Sequence, residues 1–525
     1  MANNLTLVIS AAALSLLVLK LWFSSRRPAG TKPLPGPKGL PVIGNLLEIP
    51  EKHSWIKFGE YVEEYGPIVQ LNILGQSHIV LGSERVVDDL VRARGTAYSS
   101  RPQAPAASIL TQDMHLLLMP HSKELRERRA LIASLLTRSA ASQYEPYQWL
   151  ESFRMLRDIV RDPSDYEDIF DHWSTVMGSR LLYGRAMPDR KGPQSEIMDI
   201  THKIEQTVQP GAYLVDVLPW MRYLPEAIAP WKRYLKRLSR RDEDFYWKMW
   251  NFAKEDFEKG RNVPSWARLC MEDLAREKGR HNMTEHEAVH LIGALYTAFG
   301  TTSHNLKSFI LAATRHPDWW HRIQAEMDQV VGGERLPTLD DVPNLPVMRA
   351  FVTEMTRVWP VTPGGVPHVL IKDDFYEGYH LPAGSVVHVL TWACSRIAET
   401  YPEPSEFKPQ RWLEPGFPTY KEPLTEFPTL NNTVLFGAGR RQCPGMLVGT
   451  RNVYIQAMML IWACDIRRAR DVSGEEIIPP YYDFVHGFNV GPNRFDFDLK
   501  VRSQERLAMV EEAYATALAQ DPMRD

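Results

Sequence analysis

The sequence predicts a mainly α-helical protein with a smaller β portion and one N-terminal transmembrane helix. Three observations lead there. From about Leu46 onward, apolar residues recur at helical spacing over most of the chain. Only two stretches, near residues 67–82 ("PIVQLNILGQSHIVLG") and 380–390, read as strands. Ahead of all of this, Leu5–Phe23 is apolar apart from Thr6, Ser10, Ser15 and Lys20. The composition of the 525 residues, 44% hydrophobic and 24% charged, is that of a globular protein. The net charge of −3 gives no reason to expect nucleic acid as a partner. Four scattered cysteines fit a reducing compartment better than a disulfide framework.

The elements divide as residues 1–27, 28–45 and 46–525. At 1.5 Å per residue, Leu5–Phe23 spans roughly 28 Å, about one bilayer core. Lys20 can snorkel and Trp22 suits an interface. A cleaved signal peptide is the alternative, but the leading "MANN" is uncharged and "SSRR" follows the run. Arg26 and Arg27 lie after the span, which places the bulk of the chain in the cytosol. The next stretch, "KPLPGPKGLPVIGN" (32–45), holds too many prolines and glycines for a helix and reads as a stiff hinge.

The longest helical pattern is "TEHEAVHLIGALYTAFGTTSHNLKSFILAATRH", opened by a capping box of Thr284 with Glu287 and ended by Pro317. About thirty residues make roughly 45 Å of helix, enough to cross a domain. It is apolar nearly all round and is expected to be buried. Farther on, Leu345, Met348, Val352 and Met355 form an apolar stripe, with Glu354 and Arg357 three apart on another face. Taken alone, that charged pair reads as a surface ion pair.

The chemistry is concentrated in "FGAGRRQCPG", residues 436–445. A phosphate loop would want Lys-Ser or Lys-Thr after its glycines. A zinc site would want close pairs of ligands, and Cys270, Cys394 and Cys464 are each alone. A catalytic thiol would want a nearby His base, which the loop lacks. What remains is a single thiolate on a haem iron. Gly437 and Gly439 permit a tight bend, and Gly445 lets backbone approach a flat macrocycle. Backbone N–H groups can hold the sulfur of Cys443 as thiolate, Arg441 can neutralise a haem carboxylate, and Phe436 can keep water away.

Phe436, Gly437, Gly439, Arg441, Cys443 and Gly445 together resemble the haem-binding loop of the cytochrome P450 family. With residue frequencies of roughly 5–7%, six such matches arise by chance on the order of once in ten million windows. The resemblance extends over nearly the whole chain and implies the cytochrome P450 fold, with residues 46–525 as a haem-thiolate catalytic domain. It implies haem b (iron protoporphyrin IX) as cofactor and Cys443 as the axial ligand of its iron. Glu354, Arg357 and Arg411 (in "FKPQRW") resemble the family's buried Glu–Arg–Arg network. Pro367-His368 resembles a step where the His reaches a haem propionate. In "ELRERRALIASLL" the family's Trp-x-x-x-Arg has Glu124 in place of Trp, with Arg128 as the matching Arg and a propionate ligand. Residues 210–225 resemble the membrane-facing access region of fungal microsomal members of secondary metabolism.

The implied reaction is monooxygenation of a lipophilic small molecule. No flavin or nicotinamide motif occurs, so electrons would come from a membrane-bound NADPH-cytochrome P450 reductase, with cytochrome b5 as an optional second donor. Arg440 and its basic neighbours could dock such an acidic partner. The implied place is the endoplasmic reticulum membrane, single-pass, with the catalytic domain cytosolic. One position departs from the family. In "TAFGTT" (297–302), Thr301 aligns with the oxygen-activating Thr, Ala298 with the small residue, and Gly300 with the usual acid. A one-residue slide makes Thr302 the activating residue and puts bulky Phe299 beside the haem. Neither alignment supplies a carboxylate. The readings are therefore a monooxygenase with another proton route, a haem-thiolate enzyme of non-hydroxylating outcome (coupling, rearrangement or dehydration), or a haem-binding sensor.

Overall fold

The stripe Leu345, Met348, Val352 and Met355 has no exposed surface at all, and the same rule of apolar faces turned inward organises the other helices. The computed structural model describes residues 28–523 except 188–192, 210, 262, 277–282 and 432. The expected anchor, 1–27 with its helix Leu5–Phe23, lies outside the described residues. Among the described residues no helix is long and apolar enough to cross a membrane.

In chain order the elements are α1 (Ser54–Tyr65), β1 (Ile68–Ile73), β2 (Gln76–Leu81), α2 (Lys123–Leu135), α3 (Arg138–Arg161), α4 (Tyr166–Tyr183), α5 (Pro193–Val208) and α6 (Pro230–Glu258). They continue with α7 (Trp266–Leu274), α8 (Glu285–Ala294), α9 (Gly300–Arg315), α10 (Pro317–Val330) and α11 (Pro346–Val358). Then come β3 (His368–Val369), β4 (Asp374–Tyr376), β5 (Tyr379–Leu381), β6 (Val386–Val389), α12 (Met446–Ala463), β7 (Cys464–Arg468), β8 (Phe497–Val501) and α13 (Gln504–Ala519). The main sheet runs β1-β2-β6-β3, with β2 parallel to β6 and the other pairs antiparallel. β4–β5 and β7–β8 are separate antiparallel pairs. Both stretches expected as strands are strands.

The hinge residues contain no helix, as their prolines require. They lie along the sheet: Lys32 N–H donates to Gly378, and Pro35 accepts from Gln70. Gly36 sits where any Cβ would run into the Gln70 carbonyl, so the segment is fitted to β1.

The long helix differs from expectation in one respect. Its capping box and its end at Pro317 are present, and its core side is buried through Leu306, Phe309, Ile310, Ala312 and Ala313. It is not continuous, however. A 3-10 turn, Leu295–Ala298, separates α8 from α9. Hydroxyls take carbonyls that the helix would use: Thr297 Oγ1 donates to Ala294 O (2.8 Å), Thr301 Oγ1 to Ala298 O (3.0 Å), and Ser174 of α4 to Phe299 O. Such competition tightens and bends a helix. α9 packs against α4, α11 and α12, and the break itself packs against α4.

Candidate active site

The loop leading into α12 is built by its glycines. A 3-10 turn (Val434–Phe436) passes into Gly437 at φ 75°, then a second turn (Gly439–Arg441) begins at φ 59°. A Cβ on Gly439 would lie 2.5 Å from the Val91 carbonyl oxygen, so both conformation and packing demand glycine. The Cys443 amide closes the loop by donating to Phe436 O at 2.7 Å. Phe436 packs against the main core. Gly445 has an ordinary φ of −80° and opens α12; an added Cβ would come 3.8 Å from Cys443 Sγ. Of the four cysteines only Cys443 is exposed. Burial pushes Cys270 and Cys464 to about 12, and Cys394 is also raised. Cys443 is raised too, by its depth within the fold, but the Gly445 N–H and the Arg129 guanidinium pull it the other way.

Cys443 lies in a cleft of about 600 Å3 whose lining includes Arg126, Arg129, Arg440 and Arg441. Arg441 is buried, and its guanidinium donates to the carbonyls of Ser99 (2.7 Å), Leu116 and Met119. Arg101, also buried, donates to the carbonyls of Leu117, Val366 and Pro367. Among the described residues neither arginine has a carboxylate partner in hydrogen bond or ion pair. Burial holds both down, Arg441 to about 10 with Arg129 adding to it, and Arg101 well below its usual value with Arg441 and Arg129 adding to it. His368, on β3, is buried and donates Nδ1–H to Tyr98 O at 2.5 Å. Burial, Arg101 and Arg441 keep it neutral. The two arginines of this cluster face each other's surroundings with no acid beside them among the described residues.

Arg101 was not singled out in the sequence; nothing in the spacing of "SSRP" marks it. Arg128 meets this cluster at Met119, whose carbonyl Arg441 binds. Its Nη2 donates to Glu287 at 2.6 Å and its Nη1 to Met119 Sδ. It is the neighbouring Arg129 that reaches the loop, donating to Gln442 O at 2.6 Å.

At the helix break, Thr301 is partly exposed and Thr302 is buried. Thr297, one turn before Thr301 on the same face, meets the buried His115 at 3.3 Å. The Phe299 ring turns the other way, 3.3 Å from a Cβ built on Gly178 of α4 and 6.3 Å from the Trp266 ring centre. Phe299 thus belongs to the packing between α9, α4 and α7. A Cβ on Gly300 would meet nothing within 4 Å. Gly300 borders a cavity of about 170 Å3 shared with Asp171, Glu205, His304 and Lys307. Asp171 pairs with Lys307 (3.1 Å) and accepts from Ser303, and Glu205 accepts from Asn489 at 2.6 Å. Burial raises Glu205 despite that bond. The acid missing from position 300 has acids as spatial neighbours.

On α11, Glu354 has no exposed surface. Its Oε2 accepts from Arg357 Nε (2.8 Å) and Trp412 Nε1 (2.9 Å). Its Oε1 accepts from Arg357 Nη2 (2.8 Å), Arg411 Nε (2.9 Å) and Lys408 N (2.8 Å). The surface-pair reading of Glu354–Arg357 fails, because Arg411 and Trp412 come in from another segment and close the group off.

These residues fit a flat dianionic cofactor bound through sulfur. The accessible thiol offers a ligand atom, the glycines leave room beside it, and two buried arginines lack acids. Fold and site together define a haem-thiolate protein. The cytochrome P450 family profile matches residues 34–477. Cytochrome P450 monooxygenase virE of Hypocrea virens is 32% identical over 509 residues, covering 95% of this chain and 91% of the relative. The echilunin cytochrome P450 monooxygenase of Aspergillus ruber is 30% identical over 520 residues, covering 96% and 92%. A zebra fish cytochrome P450 solved with progesterone superposes with a TM-score of 0.69 at 22% identity, over 85% of this chain and 99% of that one, which speaks to fold alone. The chain belongs to the cytochrome P450 family and is a monooxygenase-class oxidoreductase, with relatives among fungal P450 monooxygenases.

Proposed function

We propose that this P450 oxidises a lipophilic intermediate of fungal secondary metabolism, using O2 and electrons from an NADPH-dependent reductase. The observation that carries the reading is the accessible Cys443 thiol on a glycine loop beside buried arginines that lack acid partners. Haem b would be held by Cys443 at the iron, by Arg441, Arg101 and His368 at the propionates, and by the loop Phe436–Gly437 against its face. Arg128, which also pairs with Glu287, would be a further propionate ligand from α2. When bound, the haem supplies O2 reduction and substrate oxidation.

The rest is done by side chains. Gly445 N–H and Arg129 favour the thiolate of Cys443. Thr301 gives its hydroxyl proton to Ala298 O, leaving its oxygen to accept from a water at the helix break. Glu205 borders the Gly300 cavity, so a proton route through it would cross that cavity rather than run along the helix. The cleft face carrying Arg126, Arg129 and Arg440 is basic and suits an acidic reductase, with cytochrome b5 as a second donor. Leu214, Leu218, Trp220, Tyr223 and Ile228 are all exposed within one short stretch of chain. With a Leu5–Phe23 anchor they would seat the protein on the endoplasmic reticulum membrane, where lipophilic substrates collect.

The test is reconstitution with a P450 reductase and extracts of a producing culture. Product formation tied to NADPH consumption and O2 supports the proposal. Turnover without NADPH would make the protein an isomerase or dehydratase. Haem binding with no turnover of any extract would make it a sensor.

A further inference from the structure

Two histidines one helical turn apart stand outside everything described above. His286 and His290 lie on the same face of α8, and Glu243 of α6 faces them. His286 Nε2 is 2.9 Å from Glu243 Oε1, and His290 Nε2 is 3.8 Å from the same oxygen. One ligand atom from each residue lies within 4.8 Å of the other two. A tetrahedral zinc site holds its ligand atoms roughly 3.4 Å apart, given bonds of about 2.0–2.1 Å. Small side-chain rotations therefore suffice to gather these three.

The independent observation is at His290. It is 4% exposed, and its Nε2 has no hydrogen-bond partner. At 3.8 Å the Glu243 oxygen is too far to serve as one. A buried imidazole nitrogen left without a partner costs free energy unless something occupies the gap.

The frame around the three residues is firm. A Cβ on Gly293 would run into the Tyr246 ring, so α6 and α8 are closely apposed beside the site. The Tyr246 ring packs edge-on to His290, centres 5.8 Å apart. The free oxygen of Glu243 is held by Gln112 Nε2 at 2.9 Å, as an outer partner fixes a ligating carboxylate. Gln112 and Asp113 both have positive φ, 52° and 58°, an uncommon backbone for such residues. That turn is what brings the Gln112 amide to Glu243. His286 is 42% exposed on the outer side, leaving a way in for an ion and a position for water.

We propose that Glu243, His286 and His290 bind one divalent cation of the zinc type, clamping α6 to α8 and, through Gln112, to the turn after residue 111. Two imidazoles and one carboxylate with an open position suit zinc, and cobalt or nickel as substitutes, better than calcium or magnesium.

The experiment uses the full-length, haem-loaded protein without a histidine tag, stripped with chelator and equilibrated with zinc chloride. One zinc per chain is expected by elemental analysis. His286→Ala with His290→Ala should weaken this by at least ~100-fold, and Gln112→Ala by roughly 10-fold. Zinc should raise the melting temperature of the wild type and leave that of the double variant unmoved. Zinc-edge X-ray absorption of the wild type, which depends on no variant, should show imidazole nitrogen and oxygen near 2.0–2.1 Å. Sulfur neighbours near 2.3 Å would overturn the assignment. So would equal zinc uptake by wild type and double variant.

Discussion

Glu354→Gln isolates a charge at constant shape. The carboxylate accepts five donors, three of them from Arg357 and Arg411. A glutamine carbonyl can replace one oxygen, but its NH2 must then face N–H groups. If it takes the place of Oε2, it confronts Arg357 Nε and Trp412 Nε1. If it takes the place of Oε1, it confronts Arg357 Nη2, Arg411 Nε and Lys408 N. At least two buried donors lose their acceptor either way, at about 1–3 kcal/mol each. Both arginines keep carbonyl partners, Ser395 and Pro404 for Arg357 and Pro402 for Arg411, which limits the damage. Removing one member of a buried ion group costs about 3–5 kcal/mol, in line with the donor count. Against a typical total of 5–15 kcal/mol that is a large share. Urea unfolding followed by circular dichroism should show this loss, together with lower haem content. The control, Lys57→Gln, breaks the exposed pair with Glu60 and should leave the unfolding midpoint nearly unchanged. The pH dependence has a definite sign. Burial would raise Glu354, but Arg357, Arg411 and the Lys408 N–H outweigh it and hold the carboxyl below its usual value. Its contribution is therefore present in full above the unfolded value of about 4.3 and fades as pH falls through the lower folded value. The gap between wild type and Glu354→Gln should shrink in acid. A gap under about 1 kcal/mol at neutral pH would refute the account of a closed, charge-dependent network.

Cys443→Ala should abolish the thiolate-type spectrum of the reduced carbon monoxide complex while leaving a folded chain by circular dichroism; an unchanged spectrum would place the ligand elsewhere. Arg101→Gln removes a buried charge aimed at no acid, and haem affinity should fall by roughly 10–100-fold, the worth of one charge-assisted bond, read by haem transfer to apomyoglobin. Thr301→Ala should raise peroxide release per NADPH consumed, whereas Gly300→Ala, whose Cβ meets open space, should keep coupling near wild type. Replacing Leu218 and Trp220 by Ser should lower membrane retention of a chain lacking residues 1–27, measured by flotation; no change would remove this stretch from membrane contact.

The sequence determined the parts that depend on local pattern. The glycine spacing of 436–445 dictates a loop that only small residues can form, and Gly437 and Gly439 take the positive φ it needs. The capping box at Thr284 and the stop at Pro317 fix helix ends through bonds and clashes within a few residues. The stripe of Leu345, Met348, Val352 and Met355 is legible because a helix repeats every 3.6 residues. What the tertiary structure decided depends on groups far apart in the chain. Glu354–Arg357 reads as a surface pair until Arg411 and Trp412, more than fifty residues later, enclose it. Arg101 carries no motif; its meaning comes from lying near Arg441 and His368 without an acid. The break in the long helix was hidden because Ser174 of a different helix takes the Phe299 carbonyl. Gly300 reads as a missing acid in one dimension and as the edge of a cavity holding Asp171 and Glu205 in three. Periodicity and turn chemistry act within one or two helical turns and are written in order along the chain. Burial and charge pairing are set by whichever segments the fold brings together, and a linear pattern does not record them.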